Sequence, residues 1–449
     1  MRTIVVGAGK VGFSIAATFS AKGYDVTLIE KNKFRLMNVA EYLDVRTIQG
    51  YGNQISDLLN AGANTADLII AATECDEVNM MSCFLAKKLG TPKAVARIRQ
   101  PIYATWDDKM MKELGIDLII NPEEYAAQEI SQLILYPEAH DVQYYANGRV
   151  LMLGLKINNT FNIINKSLAE INFPKPCVVV AIIRNEQIII PRGDTMVLDK
   201  DEIYFVASTE NMSAIEKYIG SPHKKINNIA IFGGELIGYY LAEIFEKKIR
   251  SFNVKLFEEN EQRCRELAEK LPHTMIIKGC GTDMNIMDDE NISEMDMVVV
   301  LTDDDHTNVM VSMIAKNAGA KKIIAQIRRS DYVNMIERFG IDKAISPRML
   351  MTSSILRFIN RGKILHLKML HDDMAQMNEI VIPKNSPHEG MALKDIRVPE
   401  SCIVAIIVRS GQIIIPKGND KLFAGDRVIV LAQTDRIKES VDYLTEEYH

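Results

Sequence analysis

Three glycines near the N-terminus have the spacing of a phosphate-binding loop. Gly7, Gly9 and Gly12 follow a short apolar run and open a helical pattern. The first glycine permits a tight turn, the second lets the backbone approach a pyrophosphate, and the third lets helix and strand pack closely, with helix N-terminal amides pointing towards the anion. Lys10 is followed by Val11 instead of Ser or Thr, without the usual spacer. This excludes a Walker loop, and no magnesium-dependent phosphoryl transfer is expected.

A carboxylate follows at the distance expected for a dinucleotide site. Glu30 ends the second apolar run, 18 residues after Gly12. There it can accept hydrogen bonds from an adenosine ribose and repel a 2′-phosphate. This arrangement favours NAD(H) over NADP(H), and an adenine mononucleotide such as ATP or ADP fits the same half-site. The alternative is that Glu30 is a solvated residue at the end of a strand.

Three more side chains are expected to line this pocket. Thr73 and Glu74 follow the fourth apolar run, at the edge where doubly wound sheets bind ligands. Arg97 ends the fifth run and is expected to reach a phosphate. Asn53 is a weaker candidate for the adenosine side. Each of these residues, taken alone, could also be an ordinary surface residue.

A second glycine loop, in the other half of the chain, carries a carboxylate where the anion would lie. Glu235 replaces the middle glycine, and at about 4 Å from a phosphate oxygen it would oppose binding by roughly 4 kcal/mol at an effective dielectric near 20. Gln326 replaces Arg97, whereas Glu258 keeps the ribose-type carboxylate. We therefore expect the first half to sense nucleotide and the second to serve mainly as scaffold and assembly surface. A weak second nucleotide site would comprise Gly233, Gly234, Glu235, Leu236, Ile237 and Glu258.

Both loops belong to copies of one two-part unit. Segments match in order at an offset near 226 residues, and CVVVAIIRNEQIIIPRG at 177–193 answers CIVAIIVRSGQIIIPKG at 402–418. In the first part of each unit, strand-length apolar runs alternate with helical patterns, which predicts a doubly wound parallel sheet. One such pattern, in residues 75–89, places these apolar residues on one stripe: Val78, Met81, Leu85 and Leu89.

The second part of each unit has the pattern of a small α+β domain. Residues 150–208 and their counterpart 378–433 contain short strands, with a hairpin signal at RNEQ and a short helix expected near NKSLAEI. The linker between the units is expected at 219–225. The predicted fold class is therefore α/β, with two tandem Rossmann-like doubly wound parallel-sheet domains, each followed by a small α+β domain.

Composition limits the classes of protein and of partner. The 449 residues are 47% hydrophobic and 25% charged, as in a globular protein of several domains. The net charge of −6 gives no electrostatic footprint for nucleic acid. Six widely spaced cysteines without a CxxC pair suggest a reducing cytoplasm. With no leader ahead of the first strand and no apolar run long enough for a membrane span, we expect neither secretion nor a spanning segment.

Two other kinds of chemistry fit the sequence less well. An NAD-dependent oxidoreductase needs a general acid or base beside the nicotinamide, yet the repeated small domains are poor in candidates, and His140 has no apparent counterpart or carboxylate partner. The carboxylates of TDDDH, Thr302 to His306, suggest a hard cation. Consecutive residues cannot all face one site, and acids at a helix start offset the helix dipole, so we expect no metal site.

The order of parts resembles a known family. The segments VVGAGKVG, VTLIE, AATECDEVN and IIIPRG at these places resemble the TrkA family of Trk potassium-uptake regulators, in which each half is an RCK (KTN) domain followed by its RCK-C module. Domain boundaries are then expected at 1–138, 139–222, 223–365 and 366–449. The family's nucleotide positions fall on Gly7, Ala8, Gly9, Lys10, Val11, Glu30, Thr73, Glu74 and Arg97.

The same resemblance implies a function and a location. Members of this family are not enzymes; they assemble as rings on the cytoplasmic face of a TrkH or TrkG potassium channel and gate it in response to nucleotides. It therefore implies a homo-oligomer, dimer or tetramer ring, that is cytoplasmic and peripheral on the inner face of the plasma membrane. NAD(H), or ATP and ADP, would be its ligands, and its small domains would pair with each other.

Overall fold

The structure is a computed structural model. It describes residues 1–100, 103, 106, 108–220, 226–248, 252–329, 332, 335–336, 339–359, 364–370, 374–396, 398 and 402–446. Most of the expected linker at 219–225 lies outside these residues. The chain divides into two compact units. One comprises Met1–Ala126, Gln326–Val333 and Ile345–Phe358, and the other comprises Ala127–Ala325, Asn334–Ala344 and Ile359–His449.

The first sheet is parallel, as its uninterrupted apolar runs predict. Its strands are β1 (Arg2–Val6), β2 (Asp25–Glu30), β3 (Arg46–Gln49), β4 (Leu68–Ala71), β5 (Lys93–Arg97) and β6 (Leu118–Ile120). Their order is β3-β2-β1-β4-β5-β6. The helices that follow these strands are α1 (Lys10–Ala21), α2 (Lys33–Tyr42), α3 (Ile55–Asn60), α4 (Asp76–Leu89), α5 (Asp108–Glu113) and α6 (Pro122–Leu135). This order reverses between β1 and β4, so the loops that leave these two strands lie side by side.

The first antiparallel sheet follows. It consists of β7 (Ala139–Tyr145), β8 (Val150–Lys156), β9 (Cys177–Arg184), β10 (Gln187–Ile189) and β11 (Glu202–Ser208), in the order β10-β9-β11-β8-β7. The predicted hairpin at RNEQ is confirmed: Asn185 and Glu186 form its turn with φ of +51° and +61°. The helix of this domain is α7 (Thr209–Ile219).

The prediction of a short helix near NKSLAEI is wrong, because this segment forms turns. Its backbone groups bond to a distant segment instead of along a helix. The Leu168 amide donates to the Thr195 carbonyl at 3.0 Å, and the Val197 amide donates to the Lys166 carbonyl at 3.0 Å. Such long-range hydrogen bonds satisfy the backbone groups that a local helix would otherwise use.

The second half repeats both parts strand for strand. Its parallel sheet consists of β12 (Asn228–Phe232), β13 (Asn253–Glu258), β14 (Met275–Lys278), β15 (Met297–Val300), β16 (Ile323–Gln326) and β17 (Lys343–Ile345), in the order β14-β13-β12-β15-β16-β17. The accompanying helices are α8 (Leu236–Lys248), α9 (Glu261–Lys270), α10 (Met284–Asp289), a 3-10 turn (Ile292–Glu294), α11 (Asp305–Asn317) and α12 (Pro347–Ile359).

The second antiparallel sheet has the topology of the first. Its strands are β18 (Ile364–Leu370), β19 (Ala375–Val381), β20 (Cys402–Arg409), β21 (Gln412–Ile414) and β22 (Arg427–Gln433), in the order β18-β19-β22-β20-β21, and α13 (Ile437–Leu444) follows. The predicted α/β class, with two Rossmann-like sheets and two small antiparallel domains, is therefore confirmed.

The two antiparallel sheets share one hydrophobic core. Met152 and Val206 of the first sheet and Met377 and Ile429 of the second belong to the same buried cluster. The buried Glu379 adds a polar contact, since its Oε2 accepts a hydrogen bond from the Ala146 amide at 3.2 Å. The pairing of small domains that the family resemblance implies is thus present within a single chain.

Helix α4 is confirmed, but only part of the predicted stripe faces the core: Leu85 and Leu89 are half-buried and pack against the hydrophobic cluster of the first sheet. Asn79, Ser82, Cys83 and Ala86 are buried, whereas Met81 of the stripe is 47% exposed. Small side chains allow close packing of a helix on a sheet. Periodicity located the helix correctly but did not show that its buried face is centred on these small residues.

Candidate nucleotide site

The first glycine loop joins β1 to α1 in the shape that its sequence predicts. Gly7 has φ of +98°, which side-chain-bearing residues rarely adopt. A Cβ on Gly7 would approach Thr73 Cγ2 to 3.1 Å, and one on Gly12 would lie 1.8 Å from the Gly7 carbonyl oxygen. Both positions therefore require glycine, the first for the turn and the last for the packing of α1 on β1.

Gly9 lies in open space. Apart from its chain neighbours, the only atom of the described residues within 4 Å of a Cβ placed on Gly9 is Arg35 Nη1, at 3.9 Å. Gly9 precedes α1 with φ of −63°, and no side chain caps this helix end. Amides in the first turn of a helix lack partners within the helix, so an anion over Gly9 would receive their hydrogen bonds. The missing side chain at Gly9 thus provides room for a phosphate and does not relieve strain.

Glu30 is 5% exposed, so it is not the solvated strand-end residue of the alternative interpretation. Its Oε2 accepts a hydrogen bond from the Ala8 amide at 2.6 Å, and its Oε1 accepts one from the Asn32 amide at 2.8 Å. The carboxylate therefore fastens the glycine loop to the start of α2. Its charge remains beside the loop, where it favours a ribose hydroxyl and disfavours a 2′-phosphate.

Thr73 lies at the exit of β4 and is held by a residue that sequence reasoning missed. Asn79 is completely buried. Its Oδ1 accepts hydrogen bonds from the Thr73 amide and hydroxyl at 2.8 and 2.6 Å, and its Nδ2 donates to the Arg97 carbonyl at 2.8 Å. The sequence repeat could have identified this residue, because Asn308 of the second half accepts the same two hydrogen bonds from Thr302. Asn79 thus ties together the exits of β4 and β5.

The side chains of Glu74 and Arg97 each meet an opposite charge. Arg35 Nη2 lies 3.6 Å from Glu74 Oε1. Arg97 Nη2 donates to Glu123 Oε1 at 2.8 Å, and both of these side chains are mostly buried. The ion pair with Glu123, at the start of α6, compensates the guanidinium charge. A phosphate would have to share Arg97 with this carboxylate, so the predicted phosphate contact of Arg97 stays a prediction.

The second glycine loop keeps the shape of the first. Gly233 has φ of +109°, and a Cβ on Gly238 would lie 2.0 Å from the Gly233 carbonyl oxygen. Glu258 repeats the role of Glu30, since its Oε2 accepts a hydrogen bond from the Gly234 amide at 2.9 Å. The fold of this loop thus survives the loss of its middle glycine.

What changes in the second loop is its charge. Glu235 is exposed, at the place that Gly9 occupies before α1. Exposure moves the effective dielectric towards that of water, so opposition to a phosphate about 4 Å away falls from the expected 4 towards about 1 kcal/mol. Arg263 Nε donates to the Gly234 carbonyl at 3.0 Å, and Gln326 is buried. Leu236 and Ile237 begin α8.

The acidic TDDDH stretch has a local role. Asp304 Oδ2 accepts hydrogen bonds from the amide and hydroxyl of Thr307, both at 2.8 Å, and so caps α11. These bonds lower the pKa of Asp304. Within the described ranges, no group of three or more His, Cys, Asp or Glu side chains could hold a metal ion.

His140 does have a carboxylate neighbour, contrary to expectation. Its Nε2 lies 3.5 Å from Glu202 Oε2 and 3.4 Å from the Tyr204 hydroxyl. Burial lowers the pKa of His140 to about 4. The imidazole is therefore neutral at pH 7, and sequence spacing could not reveal this contact between β7 and β11.

Two Rossmann-like sheets with clamped glycine loops, each followed by a small antiparallel domain, define a tandem protein of nucleotide-binding architecture. The TrkA-N domain family matches residues 3–122 and 229–347, and the TrkA-C domain family matches 153–220 and 377–445. The chain belongs to the TrkA family. None of the helices in the described ranges has the length and apolarity to cross a bilayer.

Relatives match over nearly the full length. The Trk system potassium uptake protein TrkA homolog 2 of Methanosarcina mazei is 34% identical, with 98% of each chain covered. TrkA of Halomonas elongata is 33% identical over 99% of this chain and 98% of its own. Among solved structures, the GsuK channel bound to NAD has a TM-score of 0.64 at 15% identity, covering 98% of this chain and 78% of that one. This structural likeness supports the fold alone.

Proposed function

We propose that this protein is the nucleotide-binding regulatory subunit of a Trk-type potassium uptake system. It acts in the cytoplasm, peripheral on the inner face of the plasma membrane, and gates a TrkH- or TrkG-like channel in response to NAD(H) or adenine nucleotides. The observation that carries the proposal is the glycine loop fastened by Glu30, with open space at Gly9. The complete TrkA-N and TrkA-C domain order supplies the transport context.

The ligand class follows from the charges around the loop. A buried carboxylate beside the loop suits the free ribose hydroxyls of NAD(H), ATP or ADP and opposes NADP(H). GsuK, which shares this fold, has been solved bound to NAD and bound to ADP. The second loop has lost room for phosphate and gained a carboxylate at Glu235. It is proposed as a weak site in a half that serves mainly as scaffold.

Gating requires that nucleotide bind two states of the protein with unequal affinity. The Thr73–Asn79 network offers a physical route, because it links the loop that leaves β4 to the end of β5. A ligand that changes the contacts of Thr73 would change the position of both strand exits together. The direction of gating depends on which of these arrangements the channel prefers.

Self-assembly is proposed on the outer apolar faces of α4 and α11. Met81 is 47% exposed and its counterpart Met310 is 57% exposed, next to Met313 at 53%. The same exposed apolar position in both halves suits contacts between identical chains in a closed ring. Each of these faces would contact a second copy of the chain, in a dimer or tetramer.

The alternative of an NAD-dependent oxidoreductase has less support. A catalytic acid or base would have to titrate near the working pH. The pKa of His140, at about 4, lies well below that range. A regulatory role without catalysis therefore accounts better for a duplicated nucleotide fold.

Rubidium uptake at limiting potassium tests the transport role. Cells that lack this gene, in a host that depends on a Trk-type channel, should recover uptake when the gene is supplied on a plasmid. The Glu30→Gln variant should restore uptake only partly, because it weakens nucleotide binding about tenfold through the loss of a charged hydrogen-bond acceptor. The matched Glu258→Gln variant of the second half should restore uptake fully. Equal uptake with and without the gene would refute the proposal.

A further inference from the structure

Arg35 occupies a position that is unfavourable for the helix that carries it. It lies in the first turn of α2, where Asn32 caps the helix by accepting hydrogen bonds from the Phe34 and Arg35 amides at 2.9 and 3.2 Å. This turn contains no acidic residue, but it does contain Lys33 and Arg35. Cations at a helix N-terminus oppose the helix dipole. The stability of α2 therefore does not explain a positive charge at this position.

The guanidinium of Arg35 lies at the edge of the space left open by Gly9. Its Nη1 is 3.9 Å from the place of a Cβ on Gly9, and its Nη2 is 3.6 Å from Glu74 Oε1. Charge-assisted hydrogen bonds are normally about 2.7–2.9 Å long. The contact with Glu74 is therefore a loose ion pair, and the two side chains are 48% and 74% exposed. A stronger anion near Gly9 would compete successfully for this guanidinium.

The corresponding arginine of the second half is engaged differently. Arg263 follows the capping Asn260 by the same three residues. Its Nε donates to the Gly234 carbonyl at 3.0 Å and its Nη1 to Glu266 at 3.0 Å. The first half has Asn38 in the place of Glu266. Arg263 is thus held against its own loop, and its second contact is with the Glu266 carboxylate, which the first half lacks. The loop of this second half is also the one that carries Glu235.

We propose that Arg35 is the phosphate-binding cation of the first nucleotide site and that the Glu74 carboxylate competes with the phosphate for it. The proposal rests on nucleotide binding by the first loop, as proposed above. In the free protein Arg35 is paired loosely with Glu74 across the mouth of the site. When a pyrophosphate lies over Gly9, Arg35 turns to it and the Glu74 side chain is released. Nucleotide occupancy is thereby converted into a changed contact at the exit of β4.

Titration calorimetry of the full-length protein with ADP tests the first part. Arg35→Ala should weaken ADP binding by about 10- to 100-fold, the loss expected for one charged hydrogen bond. Lys33→Ala, which removes an equal charge from the same helical turn, should leave the affinity within about twofold. Equal losses in the two variants would overturn the proposal, because they would indicate a general charge effect. Unfolding midpoints of the two variants should match that of wild type.

A double-mutant cycle tests the competition. Glu74→Gln should tighten ADP binding by up to about fivefold, the range of an exposed ion pair. This gain should vanish in Arg35→Ala/Glu74→Gln, which should bind like Arg35→Ala alone. A gain that persists without Arg35, or weaker binding by Glu74→Gln, would refute the competition. Wild-type protein that binds neither ADP nor NADH would refute nucleotide sensing itself, whereas normal wild-type binding with an unaffected Arg35→Ala variant would refute only the present inference.

Discussion

The buried carboxylate of Glu30 accepts the amide hydrogen of Ala8, with an N···O distance of 2.6 Å, and so ties the end of β2 to the glycine loop after β1. Glu258 and Gly234 repeat this relationship at 2.9 Å in the second half. Because the clamp persists where the middle glycine has been replaced, it belongs to the fold of the loop. The proposed binding of phosphate depends instead on the space and charge around Gly9.

Two glycine substitutions separate these roles. Gly9→Ala adds a methyl group to open space, so stability should stay within about 0.5 kcal/mol of wild type, while ADP affinity falls at least tenfold because the backbone can no longer approach the phosphate. Gly12→Ala places its methyl 1.8 Å from a carbonyl oxygen and should cost about 3 kcal/mol. Thermal unfolding with and without ADP measures both. Similar unfolding midpoints for the two variants would contradict this account.

Restoring glycine in the second loop should strengthen the weak site. In a Gly9→Ala background, Glu235→Gly removes an exposed carboxylate from the phosphate position, and about 1 kcal/mol of repulsion corresponds to roughly fivefold tighter ADP binding. The site should remain weak, since Arg263, the counterpart of Arg35, is engaged by the Gly234 carbonyl and by Glu266. Titration calorimetry gives the affinity. Unchanged binding would mean that the Cβ and charge of Glu235 do not limit this loop.

A repeated ion pair should matter for the stability of each small domain. Asp201 and Asp426 are fully buried, and each accepts two hydrogen bonds from an arginine, Arg184 or Arg409, at 2.7 to 2.8 Å. Asp201→Asn should destabilise its domain by about 2 kcal/mol, less than a fully buried pair because Arg184 is partly exposed.

The matched control for this ion pair is Glu261→Gln. Glu261 pairs with Arg265 and Lys278 on the surface, and exposed pairs of this kind contribute little. Its unfolding midpoint should equal that of wild type. A comparable loss in Asp201→Asn and Glu261→Gln would show that burial of the carboxylate is not the cause.

Glu216 on α7 should make the stability depend on pH. Burial, with a smaller effect from Glu138, raises the pKa of Glu216 to about 7 from 4.5. Since the folded form keeps its proton while the unfolded form loses it, stability should fall as pH rises from about 4.5 to 7. The full difference amounts to about 3 kcal/mol.

Glu216→Gln removes this titration while keeping the shape of the side chain. The variant should therefore unfold at a higher temperature than wild type at pH 8, with little difference at pH 5. Thermal unfolding at both pH values measures the effect. An equal shift at pH 5 and pH 8 would point to packing instead of ionisation.

Local patterns in the sequence predicted a large part of this protein. The duplication, both glycine loops, the strands and the hairpin at RNEQ depend on residues close together in the chain, where periodicity and turn chemistry act directly. The prediction of a helix near NKSLAEI failed because amides of this segment bond to a segment about 25 residues away. The apolar stripe of α4 was only partly right, because the side chains buried most deeply on this helix include the small or polar residues Asn79, Ser82 and Ala86.

The sequence alone determined the two glycine loops and the order of the charged residues that follow them, and from these it predicted where a phosphate would bind. Only the tertiary structure decided their partners: Glu30 with the Ala8 amide, Arg97 with Glu123, Arg35 with Glu74, and one antiparallel sheet with the other. The physical reason is that residue spacing fixes the local backbone conformation. Contacts between distant side chains arise only when helices and sheets pack, and they depend on the exact face and register of each element.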